Sequence, residues 1–444
     1  MKNKFIRMTF AAFLAHASGI MALAENQSGR LELKLDDCVK IALQKNPQVR
    51  AAIEGIKSSQ AAIGEARAPY YPELKATAGY SRWQTRAFLP EGLLPPTAPK
   101  VIGPTDDYKA QGTARWILFD NGERKARLDI SKVMAKISVE NLDSTRQNVV
   151  FLIHERFYSL AASIELKQVA VQNQARAEQH LKFANERKSA GAVPESDVLR
   201  ARVAASEAKL NLVRANNLIR INMGWLNTVM GLPVETDITL KINTDVPSIP
   251  TEASASSLIT QAIMCRPEIK ASQGRIEAAQ KSLAMAKSEY GPKVRAEGAY
   301  GLRDDASDLE EKEYAAGVSI ELPIFSGFST KYKISERKAE LSKTESETEA
   351  IVQAIQQEVW IARSQLQEAN ETVETADIRV KDATESTRMG EERYKNGGCT
   401  ITDLMDIQTA LAKAEADLVE AKWNLRIAKA NLVKSTGTLI ARHE

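Results

Sequence analysis

A long heptad pattern interrupted by one short turn is the feature that most constrains how this chain folds. Apolar or small residues recur at steps of three and four over residues 352–383, before the turn, and again over residues 404–432, after it. This spacing is typical of helices that pack side by side along a continuous seam. Residues 328–393 contain no proline and a single internal glycine, Gly390. The pattern therefore predicts one helix of roughly 65 residues, about 100 Å long, which is far longer than a globular core requires.

The turn and its two helices occur twice in the chain. Near the turn the offset between the halves is 206 residues, and the matched pairs are Glu186 with Glu392, Arg187 with Arg393, Gly191 with Gly397, and Asp197 with Asp403. Nearer the start of each half the offset is 220 residues, and the matched pairs are Pro47 with Pro267, Tyr70 with Tyr290, Pro72 with Pro292, and Tyr80 with Tyr300. The chain is therefore an internal duplication. The change of offset gives the first half 14 extra residues between Tyr80 and Phe119, where we predict a loop.

Residues 1–24 predict a secretory signal peptide. Lys2, Lys4 and Arg7 precede an apolar run, and the small residues of Ala22–Ala24 form a cleavage site. No cysteine follows this site closely enough for lipid attachment, and no other stretch reaches the ~18 apolar residues of a membrane helix. The chain is therefore predicted to be exported without a helical anchor.

Two pairs of segments alternate apolar and polar residues with a period of two, which is typical of β-strands. The predicted strands are about residues 72–88, 108–119, 292–303 and 313–325. Because the stretch Leu89–Pro104 is rich in proline, it predicts the inserted loop. Strands of this length suit an outer-membrane barrel, where a strand needs ~9 to 11 residues, although a half-buried soluble sheet has the same alternation. Four strands leave two edges that lipid does not satisfy, so closure of a barrel requires further copies.

The remaining segments predict helices and their connections. A helix is expected from Leu35 to about Arg67, with a kink or break at Pro47. Ser196 and Thr402 are expected as the N-caps after the two turns. The predicted domains are the N-terminal segment 25–34, repeat 1 at 35–230 with a hairpin at 121–230 and its tip at 189–196, a linker at 231–254, repeat 2 at 255–437 with a hairpin at 327–436 and its tip at 395–402, and a tail at 438–444.

Composition gives no sign of an enzyme, a metal site or a nucleic-acid-binding protein. The formal net charge is +3, and basic residues are mixed with acidic ones along the helices instead of forming a cluster. The cysteines Cys38, Cys265 and Cys399 lie far apart, and no two of them are equivalent in the duplication. Their spacing supports neither a disulfide framework nor a zinc site. We therefore predict no catalytic residue, no cofactor and no metal.

The order of these elements resembles the TolC family of outer-membrane efflux proteins over essentially the whole mature chain. The motifs that carry the resemblance are Asn46–Pro47 and Arg266–Pro267 at helix starts, Phe119–Gly122 and Ile324–Gly327 between strand and helix, and Gly-x4-Ser/Thr-Asp at both turns. The resemblance implies a mostly α-helical protein with a membrane β-domain. A homotrimer would form a 12-stranded barrel in outer-membrane lipid, continued by a coiled-coil helical barrel in the periplasm of a Gram-negative bacterium.

The resemblance also implies a passive exit duct of a tripartite efflux or type I secretion system. Such a duct docks to a periplasmic adaptor protein and to an inner-membrane transporter of the RND, ABC or MFS type. Its cargo could be a drug, a metal ion, a peptide or a polysaccharide. The main alternative is a periplasmic adaptor or coiled-coil scaffold without a pore, although adaptors carry one hairpin and this chain has two. A surface stalk is a weaker alternative because it gives no role to strands halfway along the chain.

The family's gate suggests roles for two acidic residues. Asp403 and Asp406, one turn apart on a helix, match the acidic pair at the constricted periplasmic end. Closely spaced carboxylates around an axis would attract cations, and some of them would have raised pKa values. Asp403 alone has a simpler explanation, since a carboxylate at a helix start offsets the helix dipole.

The resemblance assigns further residues to a hydrogen-bond network at the tips. Tyr394 and Asp197 match the family's tyrosine and its acidic partner, with Ser196 and Thr402 beside them. Cys399 stands where the best-known member has an arginine, so a weaker or different network is expected.

Two more sets of residues have expected roles. The tip residues expected to contact the adaptor are Gly191, Ala192, Val193, Pro194, Gly397, Gly398 and Cys399, although glycine also serves simply to reverse the chain. The strand residues expected to face the lumen are Lys75, Arg115, Arg295 and Glu297. The residues expected to face lipid are Tyr80, Tyr108, Trp116 and Tyr300.

Overall fold

The computed structural model describes residues 31–86, 101–242, 254–305 and 309–439. The predicted signal peptide lies outside these residues, as do most of the N-terminal segment, most of the proline-rich loop, part of the linker and most of the tail.

The helices and strands follow the order expected of two repeats. They are β1 (Leu31–Leu33), α1 (Leu35–Lys45), α2 (Pro47–Arg67), β2 (Glu73–Arg86), β3 (Val101–Phe119), α3 (Glu123–Ser189), α4 (Glu195–Met230), β4 (Ile238–Leu240), α5 (Ala255–Cys265), α6 (Pro267–Ser288), β5 (Lys293–Asp304), β6 (Lys312–Glu321), α7 (Ser329–Lys395) and α8 (Ile401–Ser435). Both α3 and α7 have 67 residues and are therefore about 100 Å long.

The first predicted helix is broken at Asn46, directly before Pro47. The Asn46 side chain caps α2 by accepting a hydrogen bond from a backbone N–H, and Pro47 occupies the first helical position, where no N–H donor is needed. The Asn46 amide also donates to the Val229 carbonyl at 2.8 Å, which ties the break to the end of α4. In the second repeat, Arg266 donates to the Ser435 carbonyl at 3.3 Å. The two repeats thus make equivalent hydrogen bonds, from a helix break to the end of a long helix, with different side chains.

The long helices form two antiparallel hairpins, α3 with α4 and α7 with α8. Because α3 also packs on α8, the order across the helical layer is α4, α3, α8 and α7. Towards the sheet, α2 and α6 pack beside α3, and α6 also contacts α7. The heptad seams are buried, and their buried members include Ile355, Val359, Ala362, Leu366, Leu404, Leu411, Ala414 and Leu432. No helix in the described ranges is both long and apolar enough to cross a membrane.

The four long strands form one antiparallel sheet in the order β2, β3, β5, β6. The pairing of β3 with β5 joins the two repeats, while β2 and β6 are the edge strands. A second, small sheet pairs β1 with β4 in parallel beside the main helical core.

Two strand boundaries correct the sequence predictions. β3 begins at Val101, inside the stretch predicted as a loop, and not near residue 108. The strand tolerates Gly103 and Pro104 because its pairing with β2 shifts register between Trp83 and Thr85, and bulges accept residues that regular pairing excludes. At the other end of the sheet, β6 stops at Glu321 instead of near residue 325, ahead of a proline that lacks an N–H donor.

The junction between β3 and α3 is fixed by close packing on the second repeat. Asn121 has a left-handed backbone (φ 52°), and its amide donates to the Ser288 carbonyl at 3.1 Å. The Asn121 side chain lies against Gly291, where an added Cβ would approach the Asn121 Cβ to 2.6 Å. Glu123 continues the contact through an ion pair with Lys293 at 2.7 Å.

We expect Gly291→Ala to lower the free energy of unfolding by about 2 kcal/mol, because the added methyl group overlaps the Asn121 side chain. Thermal unfolding of the detergent-solubilised protein measures this loss. Adding Asn121→Gly removes the overlap at a position whose left-handed backbone suits glycine, so it should restore part of the loss. A Gly291→Ala variant as stable as the unsubstituted protein would contradict the packing described.

Candidate functional site

The two hairpin tips share one turn geometry. Gly191 and Gly397 adopt left-handed backbone angles (φ 71° and 72°), which glycine adopts without steric cost. In the second turn the Gly398 N–H donates to the Arg393 carbonyl at 2.7 Å, and in the first the Ala192 N–H donates to the Arg187 carbonyl at 2.9 Å. The tip residues Gly191, Ala192, Pro194, Gly397 and Gly398 are exposed, whereas Val193 and Cys399 are half-buried.

The predicted N-caps are wrong at both tips, because each helix begins two residues earlier. The N-cap of α4 is Pro194, so Ser196 lies within the first turn of the helix. The N-cap of α8 is Thr400, not Thr402. The Thr400 hydroxyl accepts from the Asp403 N–H at 3.2 Å, and Asp403 Oδ2 accepts from the Thr400 N–H at 2.9 Å. This reciprocal pair is a capping box, and it fixes the start of α8 at Ile401.

The two candidate gate carboxylates have different surroundings within one chain. The hydrogen bonds from the backbone N–H and the hydroxyl of Thr400 hold the pKa of Asp403 below its ordinary value. Asp403 therefore stabilises the helix start, as its position in the first turn suggests. Asp406 lies about one turn further along α8, and both residues are exposed.

Two arginines of the first hairpin contact the second hairpin at the tip. Arg187 Nη1 donates to the Tyr394 carbonyl at 2.8 Å, and its guanidinium lies 4.9 Å from the centre of the Tyr394 ring. Arg200 Nη1 donates to the Thr402 hydroxyl at 2.5 Å. Arg187 and Arg200 therefore supply arginine contacts at the tip. The position at which the family resemblance implies an arginine is occupied by Cys399.

The expected hydrogen bond between Tyr394 and Asp197 is not formed. Tyr394 is 4 % exposed, and its hydroxyl has no hydrogen-bond partner among the described residues. Burial is the main cause of the raised pKa of Tyr394, to which the nearby Asp197 charge also contributes. Asp197 instead has the Ser196 hydroxyl at 3.5 Å. Tyr394 belongs to an apolar cluster with Ile401 and Leu404, which Cys399 and Met405 border.

A polar layer further from the tip also joins the hairpins, and no sequence motif predicted it. The imidazole of His180 on α3 contacts Gln408 on α8 and lies 3.6 Å from Glu391 on α7. Burial lowers the pKa of His180, so the neutral imidazole is favoured. One turn away, Arg176 binds both carboxylate oxygens of Glu415 at 3.1 and 2.5 Å.

The four residues expected to face the lumen share one face of the sheet. Arg115 lies directly opposite Glu297 and donates to it at 2.9 Å, and Arg295 donates to Glu321 at 3.0 Å. Lys75 lies 3.7 Å from Glu73 on the same face. The opposite face carries Tyr80, Tyr108, Trp116 and Tyr300, with the Tyr80 and Tyr108 ring centres 4.8 Å apart. The period of two therefore separates a charged face from an aromatic face.

The three cysteines are free thiols. Burial raises the pKa of Cys38 to about 12, so this thiol is inert at neutral pH. Within the described residues, no group of three or more His, Cys, Asp or Glu side chains is placed to hold a metal ion.

Comparison with known proteins agrees with this architecture. Protein CyaE of Bordetella pertussis is 25 % identical over 321 residues, which cover 71 % of this chain and 65 % of that relative. The outer membrane efflux protein BepC of Brucella suis is 22 % identical over 439 residues, covering 96 % of this chain and 88 % of BepC. The Campylobacter jejuni CmeC outer membrane channel superposes with a TM-score of 0.79 at 17 % identity, over 91 % of this chain and 86 % of CmeC. The family model for outer membrane efflux proteins matches residues 38–232 and 258–438, so the chain belongs to this family and is an efflux channel of the outer membrane.

Proposed function

We propose that three copies of this chain form a passive exit duct across the outer membrane and the periplasm. The duct would serve a tripartite efflux or type I secretion system, in which a periplasmic adaptor docks on the exposed tip turns and an RND, ABC or MFS transporter supplies the energy. In this arrangement the charged face of the sheet lines the lumen and the aromatic face contacts lipid.

The observation that carries this proposal is the pair of open edges. One chain supplies a four-stranded amphipathic sheet whose edge strands, β2 and β6, have unpaired backbone groups. A lipid bilayer offers those groups no hydrogen-bond partner, so the edges must pair with other copies. The outer helices of the layer likewise expose large apolar side chains, which include Leu199, Val203, Leu210 and Val213 on α4 and Trp360, Ile361 and Ile378 on α7. Exposed apolar surface on this scale is typical of an interface. A scaffold without a pore would explain neither the unpaired strand edges nor the exposed apolar side chains of the outer helices.

We place the gate at the tips, where Asp403 and Asp406 of each copy would surround the channel axis. Exposed carboxylates held close together around a narrow passage raise the local concentration of cations. Asp406 is the better residue to test, since Asp403 also forms the capping box with Thr400 and its loss would disturb the start of α8.

The test is single-channel conductance of the detergent-purified protein in planar bilayers. We expect a small, cation-selective conductance, and we expect Asp406→Asn to reduce both the cation preference and the block by divalent cations. Glu420→Gln, an exposed acidic position further along α8, is the matched control and should leave selectivity unchanged. Unchanged selectivity in Asp406→Asn would exclude the acidic gate. A protein that gives no conductance and leaves membranes without detergent would exclude the duct.

A further inference from the structure

The contact between the two repeats inside one chain predicts the contact between neighbouring copies. We propose that β6 of one copy pairs with β2 of the next in the register that β3 and β5 have within the chain, and that Tyr71 of the next copy fills the space beside Gly327. This inference rests on the proposed trimer and assigns its contacts residue by residue.

The first step is that the duplication is preserved in the backbone. The offset of 220 residues relates the start of β2, Glu73, to the start of β5, Lys293. The offset of 206 residues relates the start of α3, Glu123, to the start of α7, Ser329. The same offset relates two left-handed residues, Asn121 and Gly122 (φ 52° and 91°), to Gly327 and Phe328 (φ 61° and 63°). The strand-to-helix junctions of the two repeats therefore have equivalent geometry.

The second step transfers the register of the internal pair to the open edges. Within the chain, Phe119 of β3 lies opposite Val294 of β5, and Thr113 lies opposite Ala299. Applying the two offsets places Ser319 of β6 opposite Gly79 of the neighbouring copy, and it places Phe325, four residues past the end of β6, beside Leu74 of that copy. Phe325 is 74 % exposed and Leu74 is 77 % exposed in a single copy. The transferred register brings these two apolar side chains together on one face of the barrel.

The third step concerns the size of the side chains at the junction. Inside the chain, the Asn121 side chain packs on Gly291, which has none. The offsets relate Asn121 to Gly327, and Gly291 to Tyr71. Inside the chain, the residue after the strand is the larger partner (Asn121) and the residue before the strand is the smaller one (Gly291). Between copies the sizes are reversed, because Gly327 follows the strand and Tyr71 precedes it. Apart from its two chain neighbours, none of the described residues has an atom within 4 Å of a Cβ built on Gly327. Because Tyr71 is 70 % exposed, the space and the side chain to fill it are both available.

Phe328 supports the same assignment. Phe328 replaces the glycine of the first repeat, Gly122, yet keeps a left-handed backbone that is unfavourable for a bulky residue. Its ring is exposed and contacts Phe325 edge-to-face, with ring centres 5.3 Å apart. If Phe325 and Phe328 pack against Tyr71 of the neighbouring copy, that contact explains why a large side chain occupies this strained position.

Cysteine cross-linking tests the register. In a background with Cys265→Ser and Cys399→Ser, we expect oxidation of Ser319→Cys with Gly79→Cys to give covalent dimers and trimers on a non-reducing gel. Residues directly opposite each other have Cβ atoms close enough for a disulfide, whereas diagonal neighbours are about 7–8 Å apart. The matched control is Ser319→Cys with Thr77→Cys, which lies two residues away on the same face and should cross-link poorly. More cross-linking in the control pair than in the Gly79 pair would overturn the register.

A compensating pair of substitutions tests the junction. Asparagine tolerates a left-handed backbone, so Gly327→Asn adds a side chain without backbone strain. We expect Gly327→Asn to lower the temperature at which the trimer dissociates, because it meets Tyr71 of the neighbouring copy. Adding Tyr71→Gly recreates the internal Asn–Gly pair and should raise that temperature again. If Tyr71→Gly instead adds to the loss, or if Gly327→Asn has no effect, the assigned contact is wrong.

The native mass of the solubilised protein separates this inference from the proposed function. A trimer that fails the cross-linking and compensation tests leaves the duct in place and overturns the assigned contacts. A monomer under conditions that retain its structure overturns both.

Discussion

Replacing Arg187 and Arg200 together by alanine is expected to raise the single-channel conductance several-fold. Both arginines belong to the first hairpin and hold residues of the second, Tyr394 and Thr402. In the proposed gate, these charged hydrogen bonds and the cation–π contact would favour the closed tip, and their loss would remove about 2 kcal/mol of that preference. A change of this size shifts the ratio of closed to open tips roughly 30-fold. The open state should therefore become populated without an adaptor.

The single variants separate the two contacts. Arg187 contributes both a hydrogen bond and a ring contact, so Arg187→Ala should open the channel more than Arg200→Ala. Arg202→Ala removes an exposed arginine of α4 close to the same tip and is the matched control for charge. Equal conductance of the double variant and the unsubstituted protein would mean that these contacts do not hold the gate closed.

Periodic features of the sequence predicted most of the fold. The heptad seams locate α7 and α8, the change to a period of two locates the four strands, and the two offsets relate the repeats. These signals are local, or they compare the chain with itself, so a single sequence contains them. The family match and the superposition with CmeC confirm the resemblance on which the functional prediction depended.

Contacts between distant side chains could not be predicted in the same way. Arg187 and Tyr394 are separated by more than 200 positions, and which of several tip residues meet depends on how the two hairpins pack. The sequence does show that the two tips carry equivalent arginines, Arg187 and Arg393. Of this pair, Arg187 contacts the other hairpin, whereas Arg393 donates to Gly398 of its own hairpin. The N-caps were misplaced because Ser196 and Thr402 are good capping residues, yet Pro194 and the Thr400–Asp403 pair begin their helices earlier. The start of β3 was missed because a bulge accommodates Gly103 and Pro104.

Arg266→Ala is expected to cause the largest loss of stability, about 3 kcal/mol in the free energy of unfolding. Arg266 is 6 % exposed and donates to Glu358 at 2.8 Å, to Glu268 at 3.1 Å and to the Ser435 carbonyl at 3.3 Å. Its removal takes the cation from the partly buried Glu268 and leaves Glu358 with the longer ion pair to Lys434 at 3.8 Å. Arg275→Ala, which removes an exposed arginine of α6, is the control and should cost less than about 0.5 kcal/mol.

The pH dependence of this loss distinguishes lost charge pairing from lost packing. Burial acts to raise the pKa of Glu268, but Arg266, the backbone and the Ser144 hydroxyl together hold it below its ordinary value. The unfolded chain therefore binds more protons at this site than the folded chain as pH falls. The resulting stabilisation is present above the unfolded pKa of about 4.3 and is lost as pH falls through the folded value.

The difference in unfolding temperature between Arg266→Ala and the unsubstituted protein should consequently be largest near neutral pH and should shrink below about pH 4. Arg266→Asn places in the second repeat the residue that caps α2 in the first, so it adds a side-chain cap that α6 lacks and supplies no charge. If Arg266→Asn recovers little, and adding Glu268→Gln to it recovers more, the carboxylate left without Arg266 accounts for the loss of stability. A difference independent of pH, together with full recovery in Arg266→Asn, would show instead that Arg266 serves only to join α6 to the end of α8.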